Sequence, residues 1–174
     1  MSRDNLKGLM IERLRDLYHA EHLLVKALPS MARAASAPAL KNVLERHVVQ
    51  TVNHSQRLDK IFRRLGVDPR GRRCRGMEGV MAEAYEVLEP YSPGSVTDAA
   101  LIAAGQRVEH YEIAAYECVR RYALLLGRPD IADFVQQSLE EEVAANERLA
   151  ALAEHEIDFH ALADTSAEPV ERAG

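Results

Sequence analysis

The sequence predicts an all-α protein, an antiparallel four-helix bundle with one long crossover that contains a short extra helix. Three observations carry this. The 174 residues are 47% apolar yet include only 9 Gly and 7 Pro, so long stretches run without a helix breaker. In four of those stretches the apolar side chains recur every three or four residues, the spacing of one helix face. Turn signals group the four stretches as two pairs, joined by a long connection from Val67 to Pro93. A chain of this length suits one domain with a substantial core.

The first helix is expected to start near Ser2 or Asp4, either of which can cap it. Leu14, Leu17, Tyr18, Glu21, Leu24, Val25 and Leu28 form its apolar stripe, with Glu21 in the middle. Pro29 falls late enough to bend it, and Ser36-Ala37-Pro38 makes the turn. The second helix runs from about Pro38 to Leu65 and ends at Gly66, a natural C-cap. Leu44, Val48, Thr51, Ser55, Leu58 and Phe62 mark its inner face; His47 and His54 flank that face, and Gln50 lies further round. In the crossover, Met77, Val80, Met81, Ala84, Val87 and Leu88 predict the short amphipathic helix, closed by Tyr91-Ser92-Pro93-Gly94. The third helix runs from about Val96 to Leu126, capped by Ser95 or Thr97, and turns at Gly127-Arg128-Pro129-Asp130. The fourth runs to about Ile157, with Val135, Leu139, Glu142, Val143, Asn146, Leu149 and Ala150 inward. Periodicity is lost after His160, so the bundle is assigned to residues 1–160 and a flexible tail to 161–174.

The chemistry concentrates around Val108-Glu109-His110-Tyr111-Glu112. Ile102, Gly105, Glu109, Glu112, Ile113 and Tyr116 share one helix face, so two glutamates one turn apart point toward the core. A buried carboxylate without a partner costs several kcal/mol or takes up a proton. Either a Lys or Arg neutralises the pair, or a metal does. Antiparallel neighbours meet at equal distances from their shared turn. Glu21 therefore faces the stretch from Gln50 to His54, and Glu112 faces the stretch from Glu142 to Asn146. All four helices thus offer metal-capable side chains near one level, without an inward Lys or Arg. Glu21, Glu109, Glu112 and Glu142 carry four negative charges if ionised, which two divalent cations would cancel; carboxylate and imidazole donors suit iron or manganese. His54 reads as a ligand or as a half-buried histidine bonded to a carboxylate. His47 is placed one turn off the level. His22 and His110 face away, and Tyr18 and Tyr116 read as core aromatics that hydrogen-bond a carboxylate. Cys118 reads as core filler and Cys74 as a loop residue.

Charge and composition exclude several functions. A net charge of −5 argues against general nucleic-acid binding. The basic run from Pro69 to Arg75 reads as a solvated loop rather than a phosphate patch. No apolar run is long enough to span a bilayer and no signal peptide is evident, so a soluble cytoplasmic protein is expected. Two cysteines make neither a disulfide scaffold nor a zinc ligand set, and fit a reducing compartment. No nucleophile arrangement, phosphate loop or nucleotide fingerprint supports a hydrolase or transferase.

Several segments carry a family resemblance. Leu14-Arg15-Asp16-Leu17-Tyr18-His19-Ala20-Glu21, Leu28-Pro29, Cys74-Arg75-Gly76-Met77-Glu78-Gly79, Asp98-Ala99-Ala100-Leu101-Ile102-Ala103-Ala104 and Val108-Glu109-His110-Tyr111-Glu112-Ile113-Ala114 resemble the YciE/YciF family of ferritin-like bacterial stress proteins. The resemblance spans about residues 5–153. It implies a ferritin-like bundle, a homodimer and a di-metal site, without a defined reaction. By that likeness Glu21, Glu109, Glu112 and Glu142 match inward carboxylates. Gln50 stands where many relatives carry Glu, and His54 where many carry Gln. Ala145 stands three residues after Glu142, where the wider ferritin-like pattern has His. The expected metal set is Glu21, Gln50, His54, Glu109, Glu112 and Glu142, holding two divalent ions, iron or manganese. The apolar face of the crossover helix adds a second argument for a homodimer. Three functions follow as expectations: a di-metal oxidoreductase acting on peroxide or dioxygen, a protein that sequesters iron without turnover, and a structural bundle.

Overall fold

The structure, a computed structural model, describes residues 5–71, 73–88 and 92–166. All regular structure among them is helical. The elements are α1 (Leu6–Ala34), α2 (Pro38–Leu65), α3 (Arg75–Leu88), α4 (Ser95–Leu125) and α5 (Pro129–Leu152); a π-helical turn (Ala153–Ile157) then leads into α6 (Asp158–Ser166). α1 and α2 form one antiparallel pair and α4 and α5 the other. α1 also packs on α4, and α2 on α5, which closes the four-helix bundle, while α3 lies against α4. No helix among the described residues is long and apolar enough to cross a membrane.

The helix ends follow local chemistry. Asn5, rather than Ser2 or Asp4, caps α1: its Oδ1 accepts from the Gly8 N–H at 2.8 Å, and the two expected caps lie outside the described residues. α1 continues through Pro29 to Ala34. Pro38 opens α2, and Gly66 closes it at a φ of 64°, a conformation that glycine adopts without a Cβ clash. Ala37, at the N-cap of α2, has no side chain to cap with. Asp98 of α4 supplies the acceptors instead, taking the Ser36 and Ala37 N–H groups at 2.8 Å each. Neither Ser95 nor Thr97 caps α4, whose N-cap is Gly94. Helix continues to Ser166, past the expected boundary at His160; residues 167–174 lie outside the described set.

Two registers differ from expectation. On α2 the buried stripe is Leu40, Leu44, His47, Thr51, His54, Leu58 and Ile61, so the two histidines sit at its centre and Val48 and Ser55 at its edge. On α5 the stripe is Ile131, Val135, Ser138, Glu142, Ala145 and Leu149, while Val143 is exposed and Asn146 only half-buried. The two histidines of α2 and Ser138 of α5 are the core positions that an apolar pattern passes over. The crossover helix buries Met77, Met81 and Ala84 in the same core cluster as Leu101, Ile102 and Val108 of α4. Met77, Met81 and Ala84 are therefore covered by their own bundle, and Val80 is half-buried against it. The side chains of Val87 and Leu88, and Tyr91, lie outside the described residues.

The core is divided. One apolar cluster gathers Ala20, Leu24, Leu44, Leu101, Val108 and Leu149; the other gathers Leu14, Leu17, Leu58, Tyr116, Val119, Val135 and Leu139. On α2, α4 and α5 the residues between the two clusters in sequence include the polar ones taken up next, and on α1 the polar residue follows Ala20 at the edge of the first cluster.

Candidate metal centre

α1 contributes Glu21, α2 His47 and His54, α4 Glu109 and Glu112, and α5 Glu142. All six are buried, none more than 2% exposed. They form two groups of donors. His47, Glu109, Glu112 and Glu142 make one, and Glu21, His54 and Glu142 the other, with the donor atoms in each group lying within 4.8 Å of one another. Glu142 belongs to both. Its Oε1 lies 2.8 Å from His54 Nδ1 and its Oε2 3.6 Å from His47 Nε2. His47 Nε2 is also 3.2 Å from Glu109 Oε1, and His54 Nδ1 3.3 Å from Glu21 Oε1. The two histidines are seven residues apart, about 10 Å along a helix. The polar cluster is therefore a short column along the bundle axis rather than a single level. That is why His47, placed one turn off, belongs to it.

The polar atoms of this column are largely unpaired. Both oxygens of Glu112, Glu142 Oε2, Glu21 Oε2, Glu109 Oε2 and both ring nitrogens of His47 are shut off from solvent without a hydrogen-bond partner, while His54 Nδ1 and Glu142 Oε1 face each other at 2.8 Å. Among the described residues no ion pair joins any of the four carboxylates to a Lys or Arg. Buried polar groups in folded proteins are nearly always satisfied, and an orphaned carboxylate is among the costliest exceptions. A cation bound among these donors would satisfy them, and hard oxygen with imidazole nitrogen is the donor set that iron and manganese accept. Each of the two donor groups has the residues to hold a metal ion.

Burial dominates the electrostatics. It pushes the carboxyl groups of Glu109 and Glu112 well above the usual carboxylate range, and neighbouring Glu142 and Glu21 push the same way. Burial also raises Glu21, although the nearby His54 and the hydrogen bond from Tyr116 oppose the rise. Glu142 differs: burial opposes its charge, but its contacts with His54 and His47 outweigh that and hold it below the ordinary value. His54 is the counterpart. Burial works against its charge, yet Glu142 and Glu21 push its pKa up to about 10. In the absence of metal, His54 therefore carries the positive charge nearest the carboxylates. His47, lacking so close a carboxylate, is lowered by burial and stays neutral at physiological pH.

A second layer of contacts orients these groups. His54 Nε2 lies 2.7 Å from Glu141 Oε2, and Glu141 takes a two-pronged ion pair from Arg57 at 2.7 and 3.0 Å. A proton held on Nε2 by Glu141 leaves Nδ1 to face Glu21 and Glu142. The Tyr116 hydroxyl donates to Glu21 Oε1, leaving Oε2 free. Gln50 lies beside His47, half-buried, with its Oε1 enclosed and unpaired.

Of the expected set, Glu21, His54, Glu109, Glu112 and Glu142 come together and Gln50 lies at the margin. His47, Glu141 and Arg57 were not in it. The signal for His47 was the seven-residue repeat through Leu40, His47 and His54; nothing in one sequence pointed to Glu141 over its neighbours. His22 and His110 are exposed, as expected. Cys118 is only half-buried, whereas Cys74 is buried at the start of α3 with its Sγ 2.9 Å from Tyr111 Oη.

Known proteins align with this fold. Residues 5–162 match the family described as a domain of unknown function, DUF892. Protein YciF of Escherichia coli K12 is 37% identical over 154 residues, covering 88% of this chain and 93% of its own. The crystal structure of that stress protein superposes with a TM-score of 0.84 at 36% identity, covering 89% of this chain and 98% of its own. YcfI of Rhodopseudomonas palustris, for which a structural role has been suggested, gives a TM-score of 0.82 at 39% identity over 86% of this chain and 97% of its own. A Xanthomonas campestris protein shares the fold at 18% identity and a TM-score of 0.72, over 92% of this chain and 98% of its own.

Proposed function

Since the chain belongs to the DUF892 family of YciF-like stress proteins, we propose that it is a ferritin-like di-metal carboxylate protein that reacts with peroxide or dioxygen. The observation that carries this reading is the meeting of two donor groups at Glu142, lined by unpaired carboxylate oxygens and imidazole nitrogens. Glu21 and His54 would hold one cation, and His47, Glu109 and Glu112 the other. Glu142 would lie between the two. Iron or manganese bound there supplies electron exchange with a small oxidant.

The protein's own part is to position, enclose and neutralise. Tyr116 fixes one oxygen of Glu21 so that the other faces the cluster. The Arg57–Glu141 pair holds His54 with Nδ1 inward. The apolar clusters on either side exclude bulk water, which strengthens every charge interaction between them. A cation held at Nδ1 of His54 would displace the proton there, so binding would be coupled to proton release. Gln50 stands where the family resemblance implies Glu, so it adds no charge to the column, which favours modest over fast turnover.

The near-complete burial of every donor favours a second reading, binding of iron without turnover. Loading metal-free protein separately with iron and with manganese distinguishes them. Faster peroxide loss than with free metal, with oxidation of bound iron in air, is expected of the oxidoreductase. Iron uptake with mineral growth and no peroxide turnover would replace it with sequestration. The two cysteines, both free, support a reducing compartment, the cytoplasm.

A further inference from the structure

The basic run between α2 and α3 has no part in the metal column, and it does not simply extend into solvent. Its described residues lie over α1 and border an open cleft of about 730 Å³. Arg13 and Arg15 of α1, Arg70 and Arg73 of the loop and Arg75 at the start of α3 line this cleft. We propose that it binds a small, multiply charged oxyanion, a phosphate ester or a dicarboxylate, through these five guanidinium groups.

Three features favour an anion. First, the arginines are held in place but not used up. Arg15 is fixed by Glu12 and the Asp68 carbonyl, and Arg70 by Asp68. Arg73 meets Glu78 through Nε alone, at 2.7 Å, which leaves its two terminal nitrogens. Arg13 pairs with Asp16 through one terminal nitrogen at 3.2 Å, while its Nε is enclosed and without an acceptor. Arg75, an exposed side chain, makes no ion pair among the described residues. A guanidinium presents five donors in a planar fork matched to carboxylate and phosphate oxygens. Second, α3 begins inside the cleft at Arg75 and Gly76, where the positive end of the helix dipole adds to the field. Third, the wall is shaped for close approach to the backbone. A Cβ on Gly76 would come within 2.7 Å of the Tyr111 ring and hydroxyl, so only glycine lets this ring close the cleft floor beside Cys74. Glu12 and Asp16 also line the cleft, where they orient Arg15 and Arg13.

The site is independent of the metal pair, and its test needs no metal. The full chain, stripped of metal, is titrated with glucose 6-phosphate and with succinate by calorimetry, with amide chemical shifts followed by NMR. Binding of either is expected in the micromolar to low millimolar range, falling as salt rises, with shifts centred on Gly76 and Tyr111. Which of the two binds tells a phosphate ligand from a carboxylate one. The double substitution Arg73→Ala/Arg75→Ala, at exposed side chains, is expected to weaken binding at least about tenfold. Arg107→Ala, outside the cleft and paired with Glu83, is expected to leave it unchanged. No binding of either probe up to about 10 mM would overturn the proposal. So would an affinity that the double substitution does not change.

Discussion

Glu142 is the residue through which the two donor groups are joined, because it alone contributes to both. Glu142→Ala is therefore expected to lose both cations, whereas Glu21→Ala loses one and keeps the other. Metal titrations of the two variants check this, and equal stoichiometries would contradict it. Glu112 sets a pH dependence in the metal-free protein. Its folded pKa is raised, by burial first, above its unfolded value. Above the unfolded value the folded state keeps a proton that the unfolded chain has released, so this group makes stability fall as pH rises from the carboxylate range toward its folded pKa. Glu112→Gln is expected to flatten that slope in denaturant unfolding measured across pH, and a slope unchanged by the substitution would contradict the assignment. The acidic members of the site were legible in the sequence because a carboxylate on an apolar stripe stands out. Glu141 was not, since on a polar face it looks like any solvated residue until the fold sets it against His54 and Arg57.

At the scale of the helix, α2 shows what periodicity can miss. Its ends were legible from Pro38 and Gly66, because those residues fix backbone conformation by themselves. Its rotation was not, because His47 and His54 occupy core positions where a polarity count expects apolar residues. Asp98 makes a related point. It looks like an ordinary first-turn acid of α4, yet it is 2% exposed and binds the turn between α1 and α2. Asp98→Ala leaves two N–H groups unpaired and is expected to cost about 1–3 kcal/mol of stability. Chemical denaturation measures that loss, and metal stoichiometry is expected to stay the same because Asp98 is not in the column.

Across the whole molecule, the two pairs of helices and their crossover were legible because length, turn chemistry and four periodic stretches all agree on one topology. The division of the core into two apolar clusters around a polar column was only half legible, since it depends on how four helices rotate together. A homodimer remains our proposal from the family resemblance; light scattering over a wide concentration range is expected to give twice the chain mass, and a monomer throughout would overturn it. The central claim concerns the column itself. Four buried carboxylates with unpaired oxygens and no Lys or Arg partner are expected to be balanced by metal. Elemental analysis of protein purified without added metal, followed by titration of the stripped protein with iron and manganese, tests this most directly. The account predicts two divalent cations per chain, lost on Glu142→Ala. Protein that carries no metal as purified and takes up neither ion at micromolar concentration would contradict it.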